Sequence, residues 1–143
     1  MKESSWKDCL DSRNSLKITP DKEKAKSLIE TADERIKCSL KKINSQNANF
    51  VFEDYYSSII ELIHSLAILH GYKINNHLCL GFYIKEVLEK ENLFFIFDDL
   101  RFKRNSLTYY GRKMEFEVAK TAIEKSKRLI CELKIILRNK FEV

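Results

Sequence analysis

The chain has 143 residues, of which 44% are hydrophobic and 33% are charged, with three glycines and one proline. This composition is too apolar for a disordered chain and too poor in turn-forming residues for an all-β fold. The formal net charge of +5 comes from 26 basic and 21 acidic residues, a small excess that is compatible with polyanion binding but excludes a basic arm. The length predicts one domain, residues 1–143.

Four cysteines, Cys9, Cys38, Cys79 and Cys131, are scattered along the chain without any C-x-x-C pair. With no signal peptide predicted, this pattern favours free thiols in a reducing cytoplasm and argues against a zinc site. No apolar run approaches the roughly 18 residues that a membrane-spanning helix needs. The sequence therefore predicts a cytoplasmic protein with no metal, no other cofactor and no membrane partner.

The N-terminal third is predicted to form a short helical arm followed by a long helix. The arm, residues 1–18, carries Trp6, Cys9 and Leu10 at helical spacing. The long helix is predicted to begin at Thr19-Pro20-Asp21, with the threonine as N-cap and the proline as the first helical residue. Its apolar stripe continues to Ile43, just before the polar stretch NSQNAN.

Apolar residues spaced three and four apart predict four further helices. Gly71 and Gly111 are placed to end the first and third of them. The short connections favour antiparallel neighbours, so the predicted fold is all-α: an up-and-down antiparallel helical bundle of four main helices plus shorter ones. The predicted helices cover residues 52–70, 77–91, 93–110 and 115–140.

The stretch RFKRNSLTYYG, residues 101–111, contains the least expected residues of the chain. Arg104 lies on the face that also carries Phe97, Leu100 and Leu107, so it interrupts an apolar stripe. A guanidinium there is costly unless it is paired, reaches solvent or faces a groove for an anion. An ion pair with a carboxylate of a neighbouring helix and a role in anion binding both remain open.

A neighbouring face of the same helix carries Asn105 and Tyr109. Asparagine is unfavourable inside a helix unless its amide has a specific partner, and a bond to Tyr109 is one alternative. Arg104 and Tyr109 are five residues apart and point about 140° away from each other on an ideal helix. They can meet at one phosphate only if the last turn distorts or if two copies of the protein face each other.

The RNSLTYYG stretch, in a fourth main helix before a long terminal helix, resembles the motif of the HEPN superfamily (higher eukaryotes and prokaryotes nucleotide-binding domains). Many members carry an arginine and, after four to six intervening residues, a histidine. The first of the intervening residues is usually polar, such as asparagine. They act as metal-independent endoribonucleases in toxin–antitoxin and defence systems, with the motifs of two protomers meeting at a dimer interface. Others are non-catalytic modules that pair with a minimal nucleotidyltransferase.

The resemblance implies site residues one by one. Arg104 matches the motif arginine and Asn105 the polar residue after it, while Tyr109 stands in the place of the histidine; these are the candidate catalytic residues. A free tyrosine has a pKa of about 10, so it is a poor base at neutral pH. The family motif also has a tyrosine two positions after the histidine. That position is Gly111 in this sequence, and Tyr110 is adjacent to it.

The resemblance predicts a homodimer that binds RNA or a nucleotide, with endoribonuclease activity or a non-catalytic, partner-binding role as alternatives. Phosphate binding and base stacking survive the loss of the histidine better than cleavage does. The candidate nucleic-acid-binding residues are Arg101, Arg104, Tyr109 and Tyr110.

Other side chains have simpler predicted roles. His64 and His70 are expected to pack or cap, and His77, after Asn75-Asn76, is expected to be exposed. Asp98–Arg101 and Asp99–Lys103 are expected to be helix ion pairs.

Two surfaces complete the predictions: an aromatic run that a dimer interface would cover, and a solvated basic face on the last helix. The run is Phe94, Phe95, Phe97 and Phe102, and the face is Lys125, Lys127, Arg128 and Lys134.

Overall fold

A computed structural model describes residues 2–141 of the chain and is mostly helical. Within residues 2–141, none of its helices is both long enough and apolar enough to cross a membrane. The elements in chain order are α1 (Trp6–Asp11), β1 (Ser15–Lys17), α2 (Lys22–Cys38), α3 (Ala48–His70), β2 (Tyr72–Ile74), α4 (His77–Phe82) with a π-helical turn (Tyr83–Val87), α5 (Glu91–Tyr110) and α6 (Phe116–Phe141).

Helix α3 forms the centre of the core, because α2, α5 and α6 all pack against it. Two buried serines let α2 approach closely: Ser58 Oγ donates to the carbonyl of Ala32 at 3.0 Å and Ser65 Oγ donates to that of Ala25 at 2.9 Å. Both alanines are almost fully buried at the contact. Small residues and internally satisfied hydroxyls thus allow tight helix packing without unpaired polar groups.

The predicted helix boundaries need correction at several points. Helix α2 begins one residue after Asp21, whose side chain accepts from the Lys24 N–H at 3.0 Å, so Asp21 and not Thr19 is the N-cap. It ends at Cys38, well before Ile43. The reason is that Ser39 turns out of the helix and donates its hydroxyl to Asp54 on α3 at 2.8 Å.

The predicted third helix is also shorter and less regular than expected. Regular α4 covers only His77–Phe82, and the backbone then widens into a π-turn in which the Leu88 N–H donates to the Tyr83 carbonyl at 3.0 Å. Helices α5 and α6 match their predictions within two residues. Gly71 and Gly111 end α3 and α5 in the left-handed conformation, as predicted, with φ of 86° and 62°.

The sequence pattern missed a small antiparallel sheet. Strand β1 pairs with β2, with Leu16 opposite Lys73, and the Ile18 N–H donates to the Gly71 carbonyl at 2.8 Å. A Cβ at Gly71 would lie 2.9 Å from the Ile18 carbonyl oxygen, so only glycine lets the two segments approach this closely. Three-residue strands of mixed burial leave no clear alternation in the sequence.

A disulfide joins Cys9 of α1 to Cys79 of α4, so the prediction of four free thiols is wrong for this pair. Their Cα atoms are 5.9 Å apart although 70 residues separate them in the chain, a proximity that no local spacing reveals. Cys38 and Cys131 are free and exposed, as predicted. Together with the sheet, the disulfide fastens the N-terminal arm to the segment that begins α4.

Candidate nucleic-acid interface

The last two turns of α5 and the start of α4 enclose a cavity of about 360 Å³. Arg104, Asn105 and Tyr109, the three candidate catalytic residues, all line it, and so does Arg101. The opposite wall is formed by Asn75, Asn76, His77 and Leu78. The structure therefore brings the predicted residues together within one chain and adds a second wall that the motif did not indicate.

Arg104 has no carboxylate within salt-bridge distance in residues 2–141, so the alternative of a structural ion pair is wrong for this part of the chain. Its guanidinium carbon lies 5.7 Å from the ring centroid of Tyr56 and 5.8 Å from that of Tyr109. Two aromatic faces stabilise the cation without neutralising it. The positive charge remains available to an anion.

Tyr109 projects from the end of α5 and is 68% exposed. Its ring lies beside the Arg104 side chain at the end of α5, where the N–H groups of Gly111 and Arg112 both donate to the Ser106 carbonyl and close the helix. The two side chains thus meet within one chain, while α5 stays α-helical through Tyr110.

Asn105 is half-buried, and the alternative of a bond to Tyr109 is wrong, because its side-chain amide has no hydrogen bond within residues 2–141. An amide with free donors and an acceptor at the cavity wall suits the hydroxyls and base edges of a nucleotide. Arg101 differs from Arg104, since its Nη2 is paired with Asp98 at 2.8 Å.

The other predicted residues near the end of α5 are Tyr110 and two ion pairs. Tyr110 is 72% exposed, is not part of the cavity wall, and has the Arg112 guanidinium 5.8 Å from its ring centroid. The predicted pair Asp99–Lys103 is present at 2.6 Å, as is Asp98–Arg101. Unlike Arg101 and Lys103, Arg104 has no carboxylate partner within residues 2–141.

His77 is not simply exposed, as predicted, but half-buried against Tyr56. Its Nδ1 lies 3.0 Å from the hydroxyl of Tyr56 on α3. Burial, with smaller contributions from the charges of Arg104, His64 and Arg101, lowers the pKa of His77 to about 4. The imidazole is therefore neutral at neutral pH.

The other two histidines pack, as predicted. The ring of His70 stacks edge-on against Tyr83 and its Nδ1 is hydrogen-bonded to that hydroxyl. Burial lowers the pKa values of both His64 and His70.

The basic residues of α6 face solvent, as predicted, and three of them reach acidic neighbours: Lys125 with Asp99, Lys127 with Glu124 and Lys134 with Asp33.

No family model, no curated protein and no solved structure matches this chain. The functional conclusion therefore depends on the cavity itself.

The cavity combines one free guanidinium, three amide side chains, a neutral imidazole and an exposed phenol ring. Within residues 2–141, no group of three or more His, Cys, Asp or Glu side chains is arranged to hold a metal ion. The arrangement can bind a phosphate through Arg104, hydrogen-bond polar ligand groups through the amides, and stack an unpaired base on Tyr109.

Sequence reasoning missed Tyr56 and His77 as members of this site. The one local signal was Asn76, which caps α4 by accepting from the Cys79 N–H at 2.8 Å and so places His77 at the first helical position. No spacing in the sequence indicates that this helix start faces the end of α5.

Proposed function

We propose that this chain is a HEPN-type domain that binds single-stranded RNA, or a nucleotide, at the cavity lined by Arg104, Asn105 and Tyr109. One observation carries the proposal: Arg104 interrupts an apolar helix face, has no carboxylate partner within residues 2–141, and lies beside an exposed tyrosine ring. An unpaired guanidinium at a cavity mouth is a costly choice for stability alone and a useful one for a phosphate.

The chemistry of the cavity favours RNA that is not base-paired. An unstacked base can lie on the Tyr109 ring, while the adjacent phosphate accepts hydrogen bonds from Arg104 and the ribose hydroxyls meet the Asn105 amide. Tyr110 and Arg112, at the surface beyond the cavity, would extend the contact to a neighbouring nucleotide. In this proposal Arg101 adds positive potential, although Asp98 neutralises most of it.

Metal-independent RNA cleavage is the alternative activity of the same site. Arg104 would then stabilise the charge that develops on the phosphoryl oxygens during attack by the ribose 2′-hydroxyl. Such a reaction needs a proton acceptor, and a phenol is a weak one at neutral pH. Binding therefore accounts for the side chains of this cavity better than cleavage does.

A homodimer belongs to the proposal because α5 presents an unpartnered aromatic stripe. Phe95 and Phe102, seven residues apart on one face of α5, are 61% and 68% exposed. A second copy packed along this stripe would cover it and place two cavities side by side. A scaffold that pairs with a nucleotidyltransferase would use the same stripe.

An RNA ligand places the domain in the cytoplasm in this proposal. The Cys9–Cys79 disulfide does not support that location, because disulfides persist mainly in oxidising compartments.

The proposal is tested by fluorescence anisotropy with a labelled 12-nucleotide RNA of mixed sequence, at low salt and with EDTA present. We expect Arg104→Ala to weaken binding at least tenfold, since it removes a charge-assisted contact. Arg138→Ala, which removes the same charge from an exposed site on α6, is the matched control and should change affinity less than twofold. Equal losses in both variants, or no binding by the wild type, would contradict the proposal.

A further inference from the structure

His77, which lines the Arg104 cavity, is paired with the buried Tyr56. The Tyr56 side chain is 2% exposed, and its only hydrogen-bond partner within residues 2–141 is Nδ1 of His77, at 3.0 Å. His77 in turn lines the cavity beside Arg104. The pair thus connects the core helix α3 to the surface that would meet a ligand.

The direction of this hydrogen bond determines which ring nitrogen of His77 carries its proton. Burial raises the pKa of the Tyr56 hydroxyl, so the phenol keeps its proton. A buried O–H without an acceptor is costly, and the only acceptor at hand in residues 2–141 is Nδ1. Nδ1 therefore accepts from Tyr56, and the neutral imidazole carries its proton on Nε2.

We propose that His77 is a second phosphate-binding residue of the cavity, held by Tyr56 as the Nε2–H tautomer, so that it donates a hydrogen bond to RNA and does not accept a proton from it. This inference rests on the proposed function and makes it more specific. The site has a histidine, but the histidine is a fixed donor. A cavity of this kind holds RNA beside Arg104 without cleaving it.

The charges around His77 agree with a neutral donor. Arg104 and Arg101 approach it from α5 and His64 from α3, and each of them disfavours the imidazolium. Asp98 is paired with Arg101. Because the pKa of His77 is lowered to about 4, its protonation should not change RNA affinity between pH 6.5 and 8.

The first test reads the tautomer directly. Nitrogen-15 NMR of protein labelled at histidine distinguishes protonated from unprotonated ring nitrogens, and the His77 signals are assigned by their loss in His77→Gln. We expect Nε2 to be protonated and Nδ1 unprotonated at pH 7. In Tyr56→Phe, which removes only the hydroxyl, we expect a mixture of both tautomers. This experiment reads the direction of the Tyr56–His77 hydrogen bond, and the next one reads the role of His77 in binding.

The second test measures binding and cleavage of the same 12-nucleotide RNA with EDTA present. His77→Ala should weaken binding about tenfold, whereas His77→Gln, whose amide keeps an N–H donor near the position of Nε2, should stay within about threefold of the wild type. Circular dichroism confirms that both variants fold.

The outcomes separate the inference from the proposed function. If Arg104→Ala loses binding while His77→Ala binds normally, the inference is overturned and the proposed function stands. If the wild type cleaves RNA and His77→Gln does not, His77 transfers a proton and the inference is again wrong. A wild type that neither binds nor cleaves RNA overturns both. A protonated Nδ1 in the free wild-type protein overturns the fixed tautomer.

Discussion

The guanidinium of Arg104 lies 5.8 Å from the ring centroid of Tyr109, although five residues separate the two along α5. The pair lies at the end of α5, where the N–H groups of Gly111 and Arg112 both donate to the Ser106 carbonyl. One chain therefore presents a cation and an exposed ring side by side, the two elements that an unpaired nucleotide requires.

Tyr109 should act through its ring and not through its hydroxyl. Tyr109→Ala is expected to weaken binding of a 12-nucleotide RNA by roughly five- to a hundredfold, because stacking of a base on an aromatic ring contributes about 1–3 kcal/mol. Tyr109→Phe keeps the ring and should bind within about twofold of the wild type. A Phe variant as weak as the Ala variant would show that the hydroxyl, and not stacking, makes the contact.

The stability of the fold should fall in acid partly through His77. A histidine with a pKa of about 4 in the folded state and near 6.5 when unfolded binds its proton more readily in the unfolded chain. Its contribution is complete above about pH 6.5 and is lost as the pH falls toward 4. For this half-buried group we expect roughly 1–2 kcal/mol after allowing for solvent screening.

Urea unfolding of wild type and His77→Gln at pH 7.5, 5.5 and 4.5 measures this contribution. The difference between the two curves isolates His77 from His64 and His70, whose pKa values are also lowered. Parallel pH dependence in the two proteins would mean that His77 is as solvated in the folded chain as in the unfolded one.

The Cys9–Cys79 disulfide should stabilise the fold and the cavity together. It closes a long loop, with 70 residues of sequence separation, so its reduction is expected to lower the free energy of unfolding by about 2–4 kcal/mol. Cys79→Ser should have a similar effect and should also weaken RNA binding, since Cys79 lies two residues after His77. Denaturation with and without dithiothreitol provides the measurement.

The exposed cysteines provide the matched control. Cys38→Ser and Cys131→Ser should leave stability unchanged within about 0.5 kcal/mol, because both thiols are exposed and unpaired. If reduction leaves the wild-type midpoint unmoved, the arm is held by the sheet and the core alone.

The aromatic stripe of α5 should control the oligomeric state. We expect the wild type to be a dimer by light scattering, and Phe102→Glu to be a monomer, because a buried carboxylate opposes packing of the two stripes. Phe50→Glu, at a 60% exposed phenylalanine on α3, is the control and should remain dimeric. A monomeric wild type at micromolar concentration would leave the stripe to another partner.

Much of the helical layout was predictable because its signals are local. Apolar residues three and four apart, with the glycines that end α3 and α5, predicted those helices and α6 close to their observed bounds. The predictions failed where a distant contact overrode a local pattern. Ser39 leaves α2 to reach Asp54, and the turn after Phe82 widens in the segment where the Glu86 carboxylate accepts from the Trp6 N–H at 2.8 Å.

The candidate site divides in the same way. The motif around Arg104 stood out because an arginine in an apolar stripe and an asparagine inside a helix are locally unfavourable. Tyr56 and His77 gave no such signal. A tyrosine on the inward face of α3 and a histidine after two asparagines each fit their own surroundings, and only their contact gives them a role.

The sequence by itself determined that the chain is helical, where α3, α5 and α6 lie, and which stretch contains the unusual side chains, since these properties follow from interactions within a few residues. The tertiary structure decided that Arg104 has no acidic partner within residues 2–141, that Cys9 meets Cys79, and that His77 faces the same cavity. These facts depend on how α1, α3, α4 and α5 pack, and such packing joins residues that are far apart in the chain.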